Sequence, residues 1–315
     1  MKQYIVLIMM IILVTGCTTD KEKAESNPEI IGDVVKNNNE AKIEEREEKD
    51  KEIDIADVDD EQDNIINSDG KTVQERFNVP DNYERVKVEE KSFGEYLRNL
   101  PLKPHGSKVK YYDGNIKDRT NVYEAVIDMN IGDKNLQQCA DAIMRLRGEY
   151  LFGKGDYDKI HFNFTNGFRV DYSKWIDGYR IKIDGNKTEY VKKTQPSNTY
   201  EDFLNYMEYI FMYAGTLSLS KELEDIEIED MEIGDIFIKG GSPGHAVIVI
   251  DMAVNKETGE KLYMLAQSYM PAQDTQVLCN GNNKELSPWY RLDDNEIIST
   301  PEWTFDKNQL KRFPK

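Results

Sequence analysis

Histidine, cysteine and tryptophan are each scarce in this chain, with three of each in 315 residues. None of the histidines, His105, His161 and His245, stands at a recognisable ligand spacing from a cysteine or a carboxylate, so no metal site and no cofactor is expected. Cys17, Cys139 and Cys279 are too few for a disulfide framework. Positive charge is also short: 41 Lys and Arg face 59 Asp and Glu, for a net charge of −18. Such a surface repels phosphates, which argues against a nucleic-acid partner and against membrane attachment through charge. From Thr18 to about Gly70 aromatic residues are missing altogether. A stretch of that composition cannot bury enough apolar surface to offset its ordering entropy. It reads as a disordered acidic tether, residues 18–70, with a reach on the order of 40 Å as a flexible coil.

One long apolar run is present. Met1-Lys2 gives a basic tip, and Tyr4 to Val14 is apolar throughout. The run is too short for a comfortable membrane span and suits a signal-peptide core. It leads directly into Val14-Thr15-Gly16-Cys17, which resembles the lipobox of bacterial lipoproteins. The resemblance implies a signal peptide over 1–17 and a lipid on Cys17. It also implies an extracytoplasmic location, with the membrane as partner through that lipid.

At Lys71 the composition changes, and aromatics and alternating patterns continue to the C-terminus. One α+β domain over 71–315 is expected. Leu136 to Phe152 has helical periodicity, with Asp133 or Asn135 as N-cap. Arg147 lies on its apolar face, where a guanidinium needs a carboxylate or carbonyl, or the anion of a substrate. HFNFTNGFRVDY (161–172) and YRIKIDGNKTEYVKK (179–193) read as hairpins. A helix from Tyr200 to Tyr213, capped by Ser197 or Asn198, follows. Strands are expected over 234–238, 246–250 and 261–266, the last two joined by the turn 255–260. His161 is expected to face solvent, and His105 lies in a loop without a partner in view.

In GGSPGHAVIVIDMA, His245 opens a buried strand after a glycine-rich turn. The order of a helix with Cys139, an insertion, MEIGDIFI, PGHAVIVID and KLYMLAQSY resembles the papain-like hydrolases, in particular the NlpC-type cysteine amidases and peptidases. The resemblance implies a cysteine-bearing helix on a small antiparallel sheet, with a β-hairpin insertion. It also implies that Cys139 is the nucleophile, His245 the base and Gln267 the group orienting the imidazole. Asp251 is a weaker orienter, being roughly 20 Å along the same strand. Gln138 is a candidate oxyanion donor. Arg147 and Trp175, in DYSKWIDGYR, are candidate substrate contacts, although packing explains Trp175 equally well. Two features depart from the NlpC pattern. Gln137-Gln138-Cys139-Ala140-Asp141 replaces an aspartate before and serine-glycine after the cysteine, and Cys139 falls about one turn into the predicted helix. A buried, inert core thiol therefore remains open beside the nucleophile.

The runs LRNLPLKP, QCADAIMRLRGEYL, YAGTLSLSKEL and LAQSYMPAQD also resemble a family of bacterial lipoproteins catalogued only as a domain of unknown function. That resemblance implies relatives and a single domain, with no activity attached. Together these readings point to a lipid-anchored thiol hydrolase acting on amide bonds of cell-envelope peptides. The alternatives are a non-catalytic lipoprotein binding a glycan or peptide, and a structural envelope protein.

Overall fold

The run HAVIVIDMAVN, apolar at nearly every position, becomes the strand His245–Asn255 at the centre of a broad sheet. The structure, a computed structural model, describes residues 65–185, 187–293 and 295–314. The leader, Cys17 and the tether as far as residue 64 lie outside the described residues.

In chain order the helices are α1 (Val73–Arg76), α2 (Phe93–Arg98), α3 (Cys139–Lys154), α4 (Tyr172–Ile176), α5 (Tyr200–Tyr213) and α6 (Thr216–Glu222). The strands begin with β1 (Tyr83–Arg85), β2 (Tyr123–Val126), β3 (His161–Asn163), β4 (Arg169–Asp171), β5 (Tyr179–Asp184), β6 (Lys187–Lys192) and β7 (Glu224–Asp225). They continue with β8 (Ile236–Lys239), β9 (His245–Asn255), β10 (Lys261–Gln267), β11 (Gln276–Leu278) and β12 (Tyr290–Leu292). The last are β13 (Ile297–Ser299), β14 (Thr304–Asp306) and β15 (Leu310–Arg312).

Among the described residues the main sheet has nine strands, ordered β2-β11-β10-β9-β8-β15-β7, with β1 added on β9 and β12 on β10. It is antiparallel throughout and larger than the small sheet expected from the sequence. The β3–β4 and β5–β6 hairpins form on either side of Thr165-Asn166-Gly167 and after Asp184-Gly185, as the sequence indicates. The fold class is α+β.

Alternation along β9 divides its side chains between two cores. Ala246, Ile248 and Ile250 join the core that contains Ala140, Ile143, Met144 and Leu146 of α3. Val247 and Val249 join the opposite core with Phe237, Leu265 and Phe305. A strand covered on both faces can be apolar at every position, which explains the unbroken run. The β9–β10 register slips at Ile250: Leu265 opposes Val249 while Met264 opposes Asp251. After this bulge the phase inverts, so Met252 joins the second core and Ala253 the first.

Helix α3 begins at Cys139 instead of Leu136, so Cys139 sits at its tip and not a turn inside. Gln138 is the N-cap residue, and its N–H donates to Asp141 Oδ2 at 3.0 Å. Gly155, with φ 75°, ends the helix in the left-handed region. The sequence suggested one apolar face, but residues Cys139 to Leu146 are all buried. A helix with core on every side no longer shows an amphipathic stripe. The N-cap of α5 is Thr199, whose hydroxyl accepts from Asp202 N, in place of Ser197 or Asn198. Packing also starts before Lys71: Ile65 is in the core, and Asn78 N donates to Ile65 O at 2.7 Å. Residues 65–70, assigned to the tether from sequence, therefore belong to the fold.

Candidate active site

Cys139 at the tip of α3 meets the first peptide of β9. Its thiol is pushed up to about 11, first by burial and then by the Asp141 carboxyl, while the N–H groups of Ala140, Ala246 and Cys139 itself pull the other way. The sulfur therefore lies beside the amide that joins His245 to Ala246. Cys139 is 7 % exposed. Cys139 and Cys279 are both free thiols.

His245 leaves β9 toward the second core, where its ring packs against Tyr269 (centroids 4.7 Å), Trp303 (5.4 Å) and Phe305 (5.9 Å). Burial lowers its pKa to about 4, against the opposing pull of Gln267 and Glu302. Nε2 of His245 stands 2.8 Å from Oε1 of Gln267, the last residue of the neighbouring strand β10. Gln267 Nε2 donates to Glu302 Oε2 at 2.7 Å, and Lys117 Nζ lies 2.7 Å from the same oxygen. The structure thus pairs His245 with Gln267 and sets the Cys139 sulfur beside the backbone amide that follows His245, while the imidazole itself turns toward the second core. Tyr269 touches the imidazole, and its phenol, raised mainly by burial, also senses Glu302 and Cys139.

The glycine-rich turn before His245 is a packing requirement. A Cβ on Gly244 would meet Gly241 O, Thr216 Oγ1 and Lys239 O. Thr216 Oγ1, at the start of α6, donates to Gly241 O at 3.2 Å, so the turn is pressed against that helix. On the other side, Ser268 Oγ donates to Gln137 O (3.2 Å) and Ala272 N to Asn135 Oδ1 (2.8 Å). These bonds tie the segment after β10 to the start of α3, so the thiol and the Gln267 strand share one anchorage.

The remaining sequence candidates are placed as follows. Gln138 is half-buried next to the thiol, with Nε2 donating to Asn135 Oδ1 at 3.2 Å. Arg147 lies eight residues along α3, about 12 Å from Cys139 at helical rise. Among the described residues its guanidinium packs over Phe93 (5.1 Å), Phe313 (5.2 Å) and Tyr150 (5.6 Å) in place of the carboxylate or carbonyl expected. Arg147 lines a separate cavity of about 360 Å³ with His161, Arg169 and Glu222. His161 is half-buried there, with Nδ1 3.1 Å from Lys159 O. The ion pair near the middle of α3 belongs to Arg145, bonded to Glu149 at 2.7 Å and Gln137 at 3.1 Å. Trp175 is buried against Tyr206 and Tyr209, with Arg180 stacked 4.0 Å from its ring centroid. Asp251 binds Arg85 at 2.7 Å and Arg98, and so holds β1 and α2 to β9.

Lys117, Tyr269, Glu302 and Trp303 were not singled out from sequence. Lys117 lies more than 150 residues before the other three, and only TPEWTF, with an acid beside two aromatics, carries a local signal. Among the described residues no group of three or more His, Cys, Asp or Glu is placed to hold a metal ion.

Fold and site together define an α+β domain with a thiol at a helix tip and an imidazole–carboxamide pair on adjacent strands. Its relatives are identified by sequence: residues 73–312 match the family described as Domain of unknown function (4846), and the chain belongs to that family. No match to the chain is found among curated proteins or solved structures.

Proposed function

We propose that the protein is a lipid-anchored, extracytoplasmic thiol hydrolase with a papain-like, NlpC-type core, cleaving amide bonds of cell-envelope peptides. The reading rests on one observation: the sulfur at the tip of α3 lies beside the His245–Ala246 peptide, and the His245 ring is hydrogen-bonded to Gln267 on the next strand. A nucleophile, a base and a group that orients the base are the parts such chemistry needs.

At rest both partners are uncharged, because burial raises the thiol and lowers the imidazole. Attack then follows general-base logic. As Cys139 Sγ bonds to the substrate carbonyl carbon, its proton passes to His245. The carbonyl π-bond becomes an oxyanion, held by N–H groups at the start of α3 and by Gln138. Collapse expels the amine, which takes the proton from His245, and leaves a thioester. Water, deprotonated by the same ring, releases the acid and restores the thiol. The Cys17 lipid holds the domain at the membrane. Among the described residues no helix is long and apolar enough to cross one.

The test is amine release from purified cell-wall peptides by the full chain. Turnover abolished in both Cys139→Ser and His245→Ala supports the reading, and no release from any peptide fraction overturns it. A second reading, a non-catalytic lipoprotein binding peptide or glycan, is favoured by the burial of Cys139 as a core thiol. It predicts ligand binding unaffected by either substitution.

A further inference from the structure

The amide of Gln267 has two possible orientations, and only one is compatible with its neighbours. On one side lies Glu302, whose Oε2 is 2.7 Å from Gln267 Nε2 and 2.7 Å from Lys117 Nζ. The Lys117 and Glu302 side chains are only 4 % and 10 % exposed. A carboxylate held by a buried ammonium offers lone pairs alone, so the group facing it must be the NH₂ of the amide. Turning the amide would press its oxygen against the carboxylate. The other end of Gln267 is therefore its oxygen, which can only accept, and it faces His245 Nε2 at 2.8 Å. Nε2 must then carry the ring proton, which leaves the lone pair of the neutral imidazole on Nδ1.

We propose that Lys117 and Glu302 are positioning residues that fix the tautomer of His245 through Gln267. The proposal rests on the hydrolase reading for its purpose, since a base needs its free lone pair on a defined nitrogen. Lys117 holds the Glu302 carboxylate, which orients the amide, which orients the ring. Glu302 uncharged, or replaced by a group that can both donate and accept, allows the amide to turn. Gln267 then offers NH₂ to Nε2, and the proton moves to Nδ1, where it blocks the base.

Because the chain has only three histidines, ¹⁵N labelling of histidine in the full chain gives a spectrum that His245→Ala assigns. At pH 7 the wild type is expected to show a single Nε2–H signature for His245. Glu302→Gln and Lys117→Met are expected to lose it and gain Nδ1–H character, whereas Lys117→Arg keeps it. Nδ1–H in the wild type overturns the proposal without any variant. So does an unchanged Nε2–H signature in Glu302→Gln and Lys117→Met. The spectrum requires no turnover, so it is decided independently of whether the protein hydrolyses peptides.

Discussion

The sulfur of Cys139 lies beside the backbone N–H of Ala246, one residue past His245. The helix and the strand thus meet where each begins, although the two residues are more than a hundred positions apart. On the strand side the imidazole is held by Gln267, and on the helix side Gln137, just before the N-cap, is tied to the segment that follows Gln267.

The thiol should behave as a buried, protonated group. With a pKa of about 11, roughly 10⁻⁴ of it is thiolate at pH 7. Alkylation of Cys139 by iodoacetamide, followed by peptide mass spectrometry in a Cys279→Ser background, should accelerate continuously from pH 7 to 10. A flat, fast rate between pH 5 and 8 would reveal a stable thiolate–imidazolium pair and contradict an uncharged resting state.

Asp141, buried at the third position of α3, is raised to about 8 by burial despite the N–H groups it accepts. Its folded pKa exceeds its unfolded value, so between about pH 4 and 8 the native state binds more protons than the unfolded one. Stability is then fully present at the acid end of that window and is lost as pH rises. Glu222, raised to about 7 by burial, acts in the same sense. His245, lowered to about 4, has the opposite effect but only below about pH 6.5. Urea unfolding should therefore show stability declining from pH 6.5 to 8. The Asp141→Asn chain should decline less steeply, the difference reaching at most about 1.4 kcal/mol per pH unit. Parallel curves for the two proteins would refute the assignment.

Asp251 is fully buried between two guanidiniums, Arg85 and Arg98. Asp251→Ala leaves buried positive charge unpaired and should destabilise the fold by about 3–5 kcal/mol. Thermal and urea unfolding measure this directly, and a loss under 1 kcal/mol would mean that water replaces the carboxylate.

Gly244→Ala places a methyl group against two backbone carbonyls and the Thr216 hydroxyl. Overpacking of this kind typically costs about 1–3 kcal/mol. Its signature should be local: the His245 resonances shift while those of His161 do not. An unchanged His245 signal would show that the turn yields without moving the strand.

The sequence disclosed whatever depends on neighbours in the chain. Helix α5 runs from Tyr200 to Tyr213 as expected, and both hairpins form between the strands expected. His245 after its glycines and Gln267 at the end of YMLAQ were also legible, because strand ends place side chains predictably. Helix α3 was harder, since burial on all sides removes the stripe that marks a helix start. Arg147 was expected to meet a carboxylate or carbonyl, whereas among the described residues its guanidinium packs over aromatic faces and the ion pair belongs to Arg145. Lys117 and Glu302 were invisible for a different reason: their meaning exists only across 185 residues of chain. Asp251 likewise finds its partners 166 and 153 residues away.

The surplus residue at Ile250 has a mechanical consequence. It puts the two halves of β9 out of phase, one half carrying His245 and the other beginning with Asp251 and its two arginines. Sliding the strand by one position against its neighbours would send the imidazole to the opposite side of the sheet and pull the carboxylate from its arginines. The strand is therefore held against slippage on both sides of the bulge, and the register that turns the ring toward Gln267 is shared with an ion cluster six residues away.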